Sequence, residues 1–202
     1  MRQAGLSGSE RGPARWRLPP PVANFRRMLE TIYKELILDH YRKPRNKAPL
    51  AEPTVAVSMR NPLCGDEVEL MLAVEDDRIA DARFGGQGCS ISQASVSMMT
   101  ETVKGRTLDE ALELESKFLA LMRGEEEPKR DRALGDLRAL EGVSRLPVRI
   151  KCALLGWNAL DEAIKAYRRS EEGVMGRKLE FEDLTSIPEG FDPAEHKEDL
   201  PD

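Results

Sequence analysis

The stretch VELMLAVEDDRIADARF, residues 68–84, decides the fold class of this chain. Its first half alternates between apolar and other residues, which is typical of a strand with one buried face. The acidic pair at residues 76–77 supplies a turn, and residues 79–84 continue as the next strand. The same alternation occurs upstream over residues 55–59, so a further strand is predicted there. Because the connections between the three strands are short, we predict an antiparallel meander.

Helical patterns flank these strands on both sides. Apolar residues recur at steps of three and four over residues 28–42, and Pro44 ends that helix. Two segments, Ser90–Gln93 and Thr107–Glu110, resemble capping boxes and predict helices that begin there. A long final helix is predicted from residue 150 to residue 167. The expected fold class is therefore α+β, with a three-stranded antiparallel sheet packed against several helices.

Composition divides the chain into three parts. Residues 1–27 carry six arginines, one acid and three consecutive prolines, which fits a disordered leader, an organelle transit peptide or sequence upstream of a natural start at Met28. We favour the start at Met28. Residues 28–170 form the predicted domain, with a charged insertion at about 125–146 that is expected to contain a short helix. Residues 171–202 contain 11 acids and 3 bases and are expected to form a flexible tail.

Composition also limits the classes of partner. The chain has 202 residues and a net charge of -5, and no apolar run approaches the ~18 residues of a membrane span. Outside the basic leader the charge is strongly negative, which argues against nucleic acid as a partner. Three cysteines do not form a disulfide framework, so free thiols and a cytoplasmic location are expected.

Three cysteines, Cys64, Cys89 and Cys152, lie next to glycines or at predicted helix starts. Asp66 lies two residues beyond Cys64, so the chain offers three thiols and one carboxylate as candidate metal ligands. A tetrahedral metal takes four ligands, and the single oxygen donor would be the most exchangeable of them. A free cysteine is usually only a small buried residue, and Asp66 also fits a turn. Three cysteines in such positions nevertheless favour a shared site.

The predicted elements place the thiols unequally. Helix starts present unpaired N–H groups and the positive end of the helix dipole, which stabilise a thiolate. We therefore expect Cys89 and Cys152 to be anchored at helix starts, and Cys64 to lie on the loop between the first two strands. Arg149 and Lys151 are possible auxiliary residues beside Cys152, although each also fits an ordinary surface charge.

Three segments resemble the signatures of the SufU branch of iron–sulfur cluster assembly proteins, within the NifU N-terminal and IscU-like superfamily. They are NPLCGD at 61–66, GCSISQASVSMM at 88–99 and RIKCALLGW at 149–157. IscU-like proteins carry a histidine immediately before the last cysteine, where this chain has Lys151. SufU-like proteins carry an insertion between the second and third cysteines, and residues 125–146 fit it. Both features favour SufU.

The resemblance implies a SufE/NifU/IscU-like fold and a zinc site whose ligands match Cys64, Asp66, Cys89 and Cys152. It also implies that Cys64 accepts persulfide sulfur from a SufS-type cysteine desulfurase, and that a histidine of this partner replaces the aspartate on zinc. Sulfur would then pass to the SufB-containing SufBCD complex. The residues fit these roles, because a thiolate freed beside a persulfide attacks its outer sulfur in ordinary thiol–disulfide exchange.

Two other functions stay open at this point. Three cysteines and a carboxylate could hold a [2Fe–2S] cluster, which would make the chain a scaffold for cluster assembly and transfer. The third function is an interaction module with a structural zinc, although structural sites are normally closed by Cys and His ligands.

Overall fold

The computed structural model describes residues 22–125, 131–171 and 179–181. Its elements are, in chain order, helix α1 (Val22–Arg42), strands β1 (Val55–Asn61), β2 (Asp66–Glu75) and β3 (Arg78–Gln87), helices α2 (Ser90–Val103) and α3 (Leu108–Met122), a 3-10 segment (Arg132–Arg145), helix α4 (Pro147–Glu171) and strand β4 (Leu179–Phe181). Within the described ranges, no helix is long and apolar enough to cross a membrane. Most of the predicted leader and tail, and residues 126–130 of the insertion, lie outside the described residues, so the division into leader, domain and tail stays a prediction.

The predicted α+β fold with three antiparallel strands is confirmed. β1 pairs with β2 and β2 with β3, and the register places Val57 opposite Leu70 and Leu70 opposite Phe84. The alternating residues of the opening stretch form the buried face: Val68, Leu70, Leu72, Val74. An unforeseen strand, β4, pairs in parallel with β1 and extends the sheet order to β3-β2-β1-β4. Three residues are too few for alternation to reveal a strand.

Helices cover the buried face of the sheet. α4 packs against β1 and β2, and α2 packs against β3 and α4. Gly156 allows α4 to approach α2 closely, since a β-carbon there would lie 3.0 Å from Val96. The rings of Phe118 on α3 and Trp157 on α4 stack with centroids 5.0 Å apart. This packing fixes α4, and with it Cys152, relative to the strands.

The two predicted capping boxes have different outcomes. The box at α3 is confirmed, because the Thr107 hydroxyl accepts the Glu110 N–H and the Glu110 carboxylate accepts the Thr107 N–H. The box at Ser90 is wrong, because the residue before α2 is Cys89 and it makes no side-chain cap. Instead, the carboxylate of Asp66 on β2 accepts the Cys89 N–H. α1 begins at Val22, six residues before the pattern predicted a helix.

The charged insertion contributes to the core. Its 3-10 segment buries four apolar residues at three-residue steps: Leu134, Leu137, Leu140, Val143. A 3-10 helix has three residues per turn, so this spacing places the three that follow the kink at Gly135, namely Leu137, Leu140 and Val143, on one face. The segment contacts α1, α2, α3 and α4 and leads directly into α4. Its backbone kinks at Gly135, where φ is 50° and ψ is -125°.

A carboxylate between α3 and α4 is expected to reduce stability as the pH rises. Burial, and then the charge of Asp161, raise the pKa of Glu115 from 4.5 to about 8. The folded protein therefore holds this proton more tightly than the unfolded chain does. As a result, the free energy of unfolding decreases as the pH rises from the lower pKa to the higher one. Glu115→Gln should remove this loss and raise the free energy of unfolding at about pH 8 by about 1–3 kcal/mol.

Urea titrations at about pH 5 and about pH 8 test this expectation, since the unfolding free energies of the two proteins should diverge only at the higher pH. Glu113→Gln is the matched control, because Glu113 lies on the same helix with an exposed side chain paired to Lys117. Wild type and Glu115→Gln losing the same stability with rising pH would contradict the assignment.

Candidate metal centre

Three candidate ligands converge where the loop after β1, the start of β2 and the second turn of α4 meet. The ligand atoms of Cys64, Asp66 and Cys152 lie within 4.8 Å of one another. Both cysteines are free thiols, and their sulfur atoms are 3.7 Å apart. Two thiolates on one tetrahedral zinc, each at ~2.3 Å from it, would be about 3.8 Å apart. The spacing is therefore suited to a shared metal.

The β1–β2 loop holds Cys64 at the surface. The Asn61 side chain accepts the Leu63 N–H at 3.1 Å, and the Asn61 carbonyl accepts the Gly65 N–H at 2.9 Å. Gly65 closes this turn with φ at 71°, a left-handed conformation that glycine adopts without strain. The Cys64 side chain is exposed as a result, whereas Asp66 returns to the sheet with a buried side chain.

The two oxygens of the Asp66 carboxylate have different surroundings: one accepts a backbone N–H, and the other has no hydrogen-bond partner. Oδ1 accepts the Cys89 N–H at 2.9 Å, so the carboxylate anchors the start of α2. Oδ2 is buried and has no hydrogen-bond partner, which leaves its lone pairs available to a cation. Burial acts to raise the pKa of Asp66, but the Cys89 N–H and the neighbouring thiols hold that pKa below its usual value. Asp66 is therefore an anionic oxygen donor.

Gly88 leaves the space that the carboxylate occupies. A β-carbon on Gly88 would lie 2.5 Å from the Ser92 hydroxyl oxygen and 2.9 Å from Cγ of Asp66. Contacts below about 3.0 Å do not occur between such atoms, so only glycine fits between β3 and α2 at this position.

Cys89 and Cys152 behave oppositely as acids. The hydrogen bond from the Cys152 thiol lowers the pKa of Cys89 to about 6, and the same interaction raises the pKa of Cys152. Only Cys89 lies at a helix start, and there the Ser92 N–H also acts to lower the thiol pKa. α4 begins at Pro147, so Cys152 lies one turn inside the helix, past its unpaired N–H groups.

The side chain of Cys89 stands slightly apart from the other donors. Its thiol interacts with Cys152, but Cys89 is not part of the group whose ligand atoms all lie within 4.8 Å. The Cys64 pKa shifts upwards instead: the residue is exposed, but partial burial of its thiol raises the pKa.

The two possible auxiliary residues are placed differently. Arg149 is exposed, and the negative charge of Cys89 and then the interaction with Cys152 raise its pKa. Lys151 is half-buried next to Cys152 along α4. Consecutive helical residues point about 100° apart, so the Lys151 side chain diverges from the Cys152 thiol.

Comparisons with known proteins agree with this fold. Residues 32–173 match the NifU-like N terminal domain family. The chain belongs to this family. It is 45% identical over 142 residues to the zinc-dependent sulfurtransferase SufU of Bacillus subtilis, which covers 70% of this chain and 95% of that protein. It is 42% identical over 137 residues to the iron–sulfur cluster assembly scaffold protein IscU of Streptococcus pyogenes, with 68% of this chain and 85% of that protein covered.

A solved structure extends the likeness to three dimensions. A putative iron–sulfur cluster assembly scaffold protein for the SUF system from Fervidobacterium islandicum superposes with a TM-score of 0.61 at 35% identity, covering 67% of this chain and 98% of that one. All four candidate ligands lie inside the matched NifU-like domain. The predicted SufU and IscU-like membership is thereby confirmed.

One residue of this NifU-like site was not singled out from the sequence. The Ser92 hydroxyl donates to the Cys89 carbonyl at 3.1 Å, and Ser92 is one of the neighbours that lower the pKa of the Asp66 carboxyl group. Ser92 follows Cys89 by three residues in the first turn of a helix, which is the spacing that places two side chains on one face. This three-residue spacing is the sequence feature that indicates Ser92 as a neighbour of Cys89.

Proposed function

We propose that this NifU-like chain is a zinc-dependent sulfur carrier of iron–sulfur cluster assembly. Cys64 would accept sulfur from the persulfide of a SufS-type cysteine desulfurase and pass it to a SufB-containing complex, in the cytoplasm. The observation that carries the proposal is the pairing of an exposed thiol, Cys64, with a buried carboxylate, Asp66, whose second oxygen has no partner. The similarity to a protein named as a zinc-dependent sulfurtransferase supports the same function.

Zinc suits the donor set of this site. Cys64, Asp66, Cys89 and Cys152 would be its ligands, giving three sulfurs and one oxygen. When bound, zinc would keep its sulfur ligands deprotonated without itself undergoing redox chemistry. This matters for Cys64 and Cys152, because their surroundings raise the pKa of both thiols. Asp66 is the only oxygen among the donors and hence the one most readily exchanged.

Sulfur transfer at Cys64 is a thiol–disulfide-type exchange. The Cys64 thiolate attacks the outer sulfur of the donor persulfide, and a new sulfur–sulfur bond forms on Cys64. The bond between the two donor sulfurs breaks, and the inner sulfur leaves as the donor thiolate. One sulfur atom moves, one sulfur–sulfur bond replaces another, and no external oxidant or reductant is consumed. Exposure of Cys64 makes it the thiol that a bulky donor reaches most easily.

Arg149 is placed to stabilise the charge that this reaction moves. Its guanidinium lies beside Cys89 and Cys152, and it remains exposed to solvent. A persulfide on Cys64 carries its negative charge on the outer sulfur, within the field of this cation. Arg149 therefore acts on the charge of the sulfur and not as a proton donor. For Lys151 we propose no role in the transfer.

A cluster scaffold is the second candidate function. It is favoured by the 42% identity to a protein named as an assembly scaffold, and three thiols with one carboxylate could hold a [2Fe–2S] cluster. Lys151 stands where IscU-like proteins offer a histidine beside the last cysteine, and it cannot replace that ligand while protonated. Anaerobic reconstitution with iron and sulfide separates the two functions, since a scaffold yields a stable coloured cluster that transfers to an acceptor.

The sulfur-carrier function predicts repeated turnover of the donor enzyme. A desulfurase that keeps its persulfide waits after each alanine until reductant clears it, whereas an acceptor that removes the sulfur frees it for another cycle. We expect the zinc-loaded chain to raise alanine release by SufS-type desulfurase at least tenfold over desulfurase alone, in the presence of cysteine and reductant. Alanine release that is unchanged, with zinc bound and an active desulfurase, would contradict the proposal.

A further inference from the structure

A strand from beyond the matched family domain pairs with one edge of the sheet. The NifU-like match ends at residue 173, before β4 begins. β4 pairs in parallel with β1, and the last pair of the register is Met59 with Phe181. β1 continues past this pair to Asn61, where the loop that carries Cys64 starts. Within the described ranges, β4 therefore stops before the end of β1 that leads to this thiol.

The parallel pairing turns the chain back towards the metal centre. Cys152 lies in the second turn of α4, and the helix then runs about 28 Å further along its axis to Glu171. β1 runs towards Cys64, and β4 has the same direction because the two strands are parallel. The residues that follow Phe181 therefore leave β4 in the direction of Cys64.

The segment that follows β4 has the length to reach Cys64. Met59 and Cys64 are five positions apart, which limits their separation to about 17 Å. Five residues of extended chain after Phe181 cover the same distance, so a continued register of β4 would place Ser186 level with Cys64. The sequence continues beyond Ser186 to residue 202, so length permits the segment to lie across the whole Cys64 loop.

The charge of this segment complements exposed side chains around the loop. Residues 182–202 contain eight acids and one lysine. Arg60 on β1 is 59% exposed, its contact with Glu67 is long at 3.9 Å, and a continued register would place Glu182 opposite it. Arg149 is exposed in the first turn of α4. Opposite charges at opposed strand positions favour pairing, so the acidic segment suits this edge of β1.

We infer that residues 182–186 extend β4 along β1 and lie over the Cys64 loop, so that the chain shields its own exposed thiol. Cys64 is exposed in the described structure, and Leu63 beside it is 75% exposed. A covering strand removes Leu63 from water and limits the approach of other molecules to the Cys64 sulfur. This inference goes beyond the proposed function and does not depend on it, because it concerns access to Cys64 and not what Cys64 accepts.

Disulfide trapping in the full chain tests the position of the segment. Ser186→Cys places a thiol where the continued register meets Cys64, and Ala194→Cys is the matched control, because it lies in the same segment but eight positions farther from β4. Oxidised glutathione is the oxidant, and mass spectrometry identifies the linked peptides. We expect Ser186→Cys to form the disulfide with Cys64 about tenfold faster than Ala194→Cys does, because a positioned strand raises the local concentration of one thiol above that of the other.

Proline variants test the shielding. Successive N–H groups of a strand point to opposite sides, so Glu182→Pro combined with Asp183→Pro removes one hydrogen bond to β1 in either alignment. The sequence Glu-Asp-Leu recurs from Glu198, so Glu198→Pro combined with Asp199→Pro is the matched control with the same change of charge and composition. We expect the first pair to raise the rate at which N-ethylmaleimide alkylates Cys64 by about fivefold, and the control to stay within about twofold of wild type.

Both measurements use the full chain as purified, with the zinc content and the thermal midpoint of each variant compared with wild type. Equal rates of disulfide formation by Ser186→Cys and Ala194→Cys overturn the placement of the segment on β1. If Ser186→Cys forms the disulfide preferentially but the prolines at residues 182 and 183 leave the alkylation of Cys64 unchanged, the shielding is overturned. Neither result bears on sulfur acceptance, so the proposed function is judged separately by alanine release.

Discussion

Replacing Gly88 by alanine is expected to lower zinc affinity by about 100-fold or more. The added β-carbon would lie 2.9 Å from Cγ of Asp66, so the carboxylate must move. It cannot move freely, because its Oδ1 holds the Cys89 N–H at 2.9 Å. The Asp66 carboxylate then has two alternatives. It loses its hydrogen bond to the Cys89 N–H, which leaves that donor unpaired at a cost of about 1–3 kcal/mol, or it keeps the bond and its other oxygen moves away from the metal position.

Competition with a chromophoric chelator measures this affinity, and the free energy of unfolding of the zinc-free protein measures the damage to the fold. Gly142→Ala is the matched control, because a β-carbon on Gly142 meets no atom within 4 Å. Zinc binding by Gly88→Ala at wild-type strength would contradict the assignment of Asp66 as a ligand.

Replacing Cys64 by serine is expected to reduce sulfur acceptance by more than about 100-fold. A serine hydroxyl is not ionised at neutral pH and does not attack a persulfide sulfur. The fold should survive, because Cys64 is exposed on a loop whose turn is held by Asn61 and Gly65. The expected result is a protein of unchanged thermal midpoint in the zinc-free state that no longer stimulates alanine release by the desulfurase.

Cys152→Ser distinguishes loss of the acceptor from loss of the metal. This variant removes a buried ligand but keeps Cys64, so we expect weak zinc binding and slow residual sulfur acceptance on Cys64. Equal, complete loss in both variants would show that Cys64 has no special role. Sulfur acceptance by Cys64→Ser at the wild-type rate would exclude Cys64 as the acceptor.

The sheet could be predicted because its signal is local. Val68 to Val74 alternate, the turn at residues 76–77 is acidic, and the connections permit only antiparallel neighbours. β4 could not be predicted, since its three residues gain their strand conformation from the edge of β1. The 3-10 segment was recognised as an insertion, but the three-residue spacing from Leu134 to Val143 was a usable signal for its buried face.

The sequence predicts four metal ligands, and the structure brings the ligand atoms of three of them together and leaves Cys89 outside that group. A glycine-containing loop indicates Cys64 and Asp66, and a predicted position near a helix start indicates Cys89 and Cys152. The two Asp66 oxygens differ because Oδ1 accepts the Cys89 N–H, a hydrogen bond between residues 23 positions apart. No local pattern reports such a contact.

The acidity of the thiols also required the fold. Position near a helix start predicts similar behaviour for Cys89 and Cys152, yet their interaction shifts the two pKa values in opposite directions. Likewise, the exposure of Leu63 and Val148 depends on what the rest of the chain leaves uncovered. Hydrophobic residues beside reactive cysteines would ordinarily be assigned to the core.

Site-resolved mass spectrometry tests the central claim most directly. The zinc-loaded chain is incubated anaerobically with SufS-type desulfurase and cysteine, alkylated and digested, and the three cysteine peptides are compared. The account predicts one additional sulfur atom on the peptide that contains Cys64, and none on those of Cys89 and Cys152. Additional sulfur on Cys89 or Cys152 instead, or on no peptide while zinc is bound and the desulfurase is active, would contradict it.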